Sequence, residues 1–104
     1  MATVVTIGRN VGDEPMEAGR WADFRYQVEQ ELRFRCGEVY FSGTGYGTSD
    51  MWGREEAHCV VASEVAFGES WNDLVRYLAL LREVYQQEAI AVQGFFTGGL
   101  TEFI

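Results

Sequence analysis

Two stretches of this chain carry apolar side chains at helical spacing, and each lies between short β-branched runs. That alternation constrains the fold more than any other feature. Trp21, Phe24, Val28 and Leu32 recur at intervals of three and four residues, which places them on one face of an α-helix. Trp71, Leu74, Leu78, Leu81 and Tyr85 do the same further on. Ser70 and Asp73 stand at capping-box spacing before the second stripe. Gly37 is placed to end the first helix in a left-handed cap.

The β-branched and alternating runs at residues 3–7, 38–42, 56–64 and 89–95 read as strands. The order is β-α-β-β-α-β, which predicts an α+β, ferredoxin-like domain spanning residues 1–104. In that arrangement two helices cover one face of a four-stranded antiparallel sheet. The tail after residue 97 has room for one more short strand. The alternation predicts that Val5, Ile7, Val39, Phe41, Ala57, Cys59, Val61, Ile90 and Val92 face the helices. Val4, Thr6, Tyr40, His58, Val60, Ala91 and Phe95 then fall on the far face. That set is too apolar for a sheet surface open to water. A second subunit or the folded-back tail is expected to cover it, with Val4, Thr6, Tyr40, Val60 and Phe95 as the candidate homo-oligomer face.

The net charge is −8, and every basic residue is an arginine. Such a surface repels phosphate backbones, which argues against nucleic acid and anionic membranes as partners. No run approaches the roughly 20 apolar residues of a membrane-spanning helix. The start of the chain has no basic, apolar or cleavage region of a secretion signal, so a cytoplasmic location is expected. There Cys36 and Cys59 are reduced thiols.

Residues 43–53 read as a glycine-rich loop joining the second and third strands, and are the most unusual segment. Glycines at 43, 45 and 47 suggest an anion cradle, but the spacing fits neither a dinucleotide fingerprint nor a P-loop, and no lysine follows. Tyr46, Met51 and Trp52 are therefore read as candidates for binding a protein partner. His58 is the only histidine, and one histidine with one carboxylate is an incomplete metal site. No metal, cofactor or catalytic constellation is expected. Arg9, Tyr40 and His58 are the polar candidates for a small-ligand pocket between sheet and helices.

Residues 6–16 (Thr-Ile-Gly-Arg-Asn-Val-Gly-Asp-Glu-Pro-Met) and 87–93 (Gln-Glu-Ala-Ile-Ala-Val-Gln) resemble segments of small, uncharacterised proteins encoded by actinobacterial phages. The resemblance implies an accessory phage product in a bacterial cytoplasm and carries over no catalytic residue. The leading expectation is a non-enzymatic, acidic accessory protein that binds a host or phage protein. The alternative is a small-ligand protein or enzyme of the dimeric ferredoxin-like kind, and the third reading is a DNA mimic.

Overall fold

The computed structural model describes residues 1–49, 53–65 and 67–104. Strand β1 (Thr3–Gly8) leads into a small ribbon of β2 (Asn10–Val11) and β3 (Glu14–Pro15), then helix α1 (Ala18–Cys36). Strands β4 (Val39–Ser49) and β5 (Gly53–Ala62) precede helix α2 (Gly68–Val84). Strand β6 (Ala91–Gln93), a single 3-10 turn at Phe95–Thr97 and strand β7 (Glu102–Phe103) complete the chain.

The main sheet has five strands in the order β4-β5-β1-β6-β7, every neighbouring pair antiparallel. The four expected strands become five because Gly98 and Gly99 turn the chain back, and Ile104 exchanges backbone hydrogen bonds with Ile90. The tail thus extends the sheet edge and does not fold over the far face. Phe95 stands in the 3-10 turn, outside the strand in which it was expected.

Both helical stripes are buried as their spacing predicts: Trp21, Phe24, Val28 and Leu32 on α1, and Trp71, Leu74, Leu78 and Leu81 on α2. They pack on Val5, Ile7, Val60, Ile90 and Val92. The helices run antiparallel, tied by Tyr77 Oη donating to Gln27 at 3.0 Å and by Arg35 with Asp73 at 3.6 Å. Gly37 closes α1 at φ 90°, its N–H donating to the Arg33 carbonyl, a conformation a side chain resists. Helix α2 begins earlier than the Ser70 signal indicates. Trp71 N–H already bonds the Phe67 carbonyl, and extended Phe67 caps the helix without a side-chain bond.

The side assigned to β5 is reversed. His58, Val60 and Ala62 face the helices, whereas Ala57, Cys59 and Val61 lie on the far face. A shift of one residue flips every side chain of a strand, and both alternating sets here contain apolar residues. The polar partners of His58 on the helix side accompany the observed choice. In β4 the register slips between Val39 and Phe41, so Val39 packs on the core while Phe41 pairs with Val61 on the far face. Val60 is fully buried and cannot belong to an oligomer face.

Tyr85 closes one end of the core. Its ring stacks on Phe24, its hydroxyl donates to the Asp23 carboxylate, and Arg20 lies over the ring. Burial, and then the Asp23 carboxylate, push the Tyr85 phenol from 10.0 up to about 12. The folded state therefore favours the neutral phenol. That contribution to stability is complete below about pH 10 and is lost as pH rises through about 12. Tyr85 is expected to ionise late in a phenolate-absorbance titration, together with alkaline unfolding, and Tyr85→Phe should remove that step.

Candidate functional site on the open sheet face

The far face of the sheet is an open trough with a floor of small side chains. Gly43, Cys59, Thr6 and Ala91 cross it in one row, and Gly45, Ala57 and Gly8 in the next. Exposed Phe41 and Phe103 stand at opposite edges. Two depressions share Thr6 and Ala57: one of about 280 Å³ towards β6 and β7, one of about 250 Å³ over the glycines of β4.

The larger depression carries the charge. Glu55 and Glu88 line it with Gln87, Ala89 and Phe103. Alternation along β5 puts Glu55 on the open face and its neighbour Glu56 on the helix side. The Glu55 carboxylate lies over Gly8, where an added Cβ would stand 2.3 Å from Oε1. Asn10 N–H donates to Glu55 Oε2 at 3.0 Å and fixes it there. Gln87 Nε2 donates to the Asn10 carbonyl at 3.1 Å, so the chain after α2 is tied to the same loop.

On the helix side Glu56 anchors that loop. Its carboxylate accepts from Arg9 Nη1 at 2.7 Å and from Trp21 Nε1 at 3.1 Å, while Arg9 Nε donates to the Met16 carbonyl at 2.8 Å. The hydrogen bond from the Arg9 guanidinium holds the Glu56 carboxyl below its ordinary range. His58 is buried between α1 and β4, its Nε2 2.9 Å from Glu29 Oε1 and its Nδ1 2.8 Å from Thr44 Oγ1.

The sequence candidates are thus dispersed. Arg9 and His58 face the helices in separate polar clusters, and Tyr40 is exposed near the start of β4, so the three do not form one pocket. Val4 and Thr6 do lie on the open face. Residues 43–49, expected in a loop, continue β4 and pair with β5, so Tyr46 is exposed on a strand, while Met51 and Trp52 fall outside the described residues. Sequence reasoning assigned no role to Glu55, Glu88 or Phe103. The available signal was the adjacent pair Glu55-Glu56, which on a strand must send one carboxylate to each face.

No family model matches the sequence, and no curated protein matches it. Two solved structures share the fold. One is a phage SAM lyase in complex with S-methyl-5'-thioadenosine, with a TM-score of 0.53 and 20% identity over 99% of this chain and 87% of that one. The other is a phage SAM lyase in the apo state, with a TM-score of 0.58 and 19% identity over 98% of this chain and 78% of that one. The chain therefore has a mixed fold of two helices and a five-stranded antiparallel sheet that also occurs in phage proteins. Among the described residues no helix is long and apolar enough to cross a membrane.

Proposed function

We propose that this protein binds S-adenosylmethionine on the open sheet face and cleaves it to S-methyl-5'-thioadenosine. The observation that carries the reading is the trough with Glu55 and Glu88 in its larger depression, on a fold shared with phage SAM lyases. The substrate's sulfonium and ammonium groups are cations, and two carboxylates on an otherwise small-residue surface complement them. The net charge of −8 adds a long-range attraction of the same sign.

The product is the substrate without its four-carbon amino-acid arm, so the bond from sulfur to that arm breaks. The bonding electrons return to sulfur, which becomes a neutral thioether. The arm's carbon is satisfied by its own carboxylate or by loss of a neighbouring proton, and the identity of the arm product distinguishes the two. Because the sulfonium charge disappears, Glu55 holds substrate more strongly than product. Incubation with S-adenosylmethionine and chromatography for the thioether is the test.

The trough is open, and Val4, Val61, Phe41 and Phe103 around it are apolar. The same proposal therefore includes a second copy of this chain packed over the face and closing the site. Sedimentation at micromolar concentration should give an oligomer; a monomer would remove this part. The competing reading, a non-enzymatic protein that binds a host or phage protein, draws support from exposed Tyr40 and Tyr46 on β4. It predicts that S-adenosylmethionine is left intact.

A further inference from the structure

Strand β4 forms one wall of the trough, yet its middle has almost nothing apolar to hold it. Gly43, Gly45 and Gly47 occupy its open-face positions, and none of the residues from Ser42 to Gly47 buries an apolar side chain. Among the described residues only β5 pairs with it, since β4 is the outer strand of the sheet. A strand so placed belongs to the least stable part of a fold unless other contacts retain it.

Polar contacts of that kind come from behind the sheet. Helix α1 directs Glu29 at His58 of β5, and His58 passes the connection on to Thr44 of β4. Arg25 Nη1 reaches Thr44 Oγ1 at 3.4 Å, and the same guanidinium lies 5.4 Å from the Trp21 ring. Burial raises the Glu29 carboxyl, but its polar partners, His58 foremost, outweigh it and the net shift is downward. The charged carboxylate is thus the form the brace holds. Buried on the sheet's helix side, His58 uses both ring nitrogens in this chain.

We infer that Glu29, His58 and Thr44 form a positioning brace: they fix the glycine wall of β4 against α1, and ligand affinity on the opposite face depends on them although none touches the ligand. The inference rests on the open face being the binding site.

Hydrogen exchange of the full chain, read by NMR, tests the brace apart from any ligand. Thr44→Val keeps side-chain shape and removes the hydroxyl, and Glu29→Gln removes the charge. Each should speed exchange of the paired amides between Ser42 and Gly47 by about tenfold or more while Val5 and Val92 keep their protection. Thr44→Ser should restore wild-type exchange, which a loss of packing alone would not allow. Calorimetry with S-adenosylmethionine should show affinity falling in the same two variants and retained in Thr44→Ser. Unchanged exchange in both variants overturns the brace. Faster exchange with unchanged affinity overturns its positioning role. If the wild-type chain binds no S-adenosylmethionine, the reading of the site fails and the positioning role with it, while exchange still decides whether the brace holds β4.

Discussion

Replacing Glu55 by Gln is expected to weaken S-adenosylmethionine binding by about 10- to 150-fold while leaving the fold intact. A partly buried, charge-assisted contact contributes about 1.5–3 kcal/mol. The amide oxygen of Gln still accepts from Asn10 N–H, so the melting temperature should hardly move. Affinity for S-methyl-5'-thioadenosine, which carries no sulfonium, should change little, and that contrast separates lost charge complementarity from general damage. Gly8→Ala should act in the same direction by a different route. Its new methyl group meets the far end of the Glu55 side chain, which can swing away, so the carboxylate is displaced without a backbone clash. Calorimetric titration of both variants with both ligands checks the pattern. Equal losses for the charged and the neutral ligand would contradict the role given to Glu55.

Phe24→Ala is expected to destabilise the protein by about 3–5 kcal/mol, the range for deleting a buried aromatic ring. Phe24 is fully buried, stacks on Tyr85 with centroids 4.4 Å apart, and meets Trp21 edge-on at 6.1 Å. The cavity would open where α1, α2 and the end of the chain after α2 converge, so the site's Gln87 and Glu88 should loosen with it. For a domain of about 100 residues the loss corresponds to a fall in melting temperature of well over 10 °C. Leu80→Ala, on the exposed side of α2, should stay within about 0.5 kcal/mol. Urea unfolding of the two variants checks both; a Phe24→Ala protein as stable as wild type would contradict the packing described.

The helices were legible because four or five apolar residues at consistent spacing leave one choice of buried face. The succession of the longer strands and helices along the chain followed from the alternation of helical and extended segments. What the sequence did not reveal was which side of β5 points inward, since Cys59 and Val61 compete with Val60 and Ala62 on hydrophobicity alone. The slip at Tyr40 was equally hidden, because an irregularity resets the alternation without any distinctive residue. The site suffered most from this. With His58 placed on the open face, attention fell on the histidine, when the group that faces the trough is Glu55. Glu88 could not be placed beside Glu55 from sequence at all: 33 positions separate them, and only the sheet brings the start of β5 next to the loop after α2. The Ser70 capping signal misled because the first turn of α2 closes on the Phe67 carbonyl.

The most direct test of the central claim is to incubate the purified protein with S-adenosylmethionine and resolve the products by chromatography. S-methyl-5'-thioadenosine should accumulate in proportion to protein and time, and more slowly in Glu55→Gln at substrate concentrations that do not saturate the wild type. Intact S-adenosylmethionine after prolonged incubation with stoichiometric protein, together with no heat of binding, would contradict the claim and leave the interaction reading in its place.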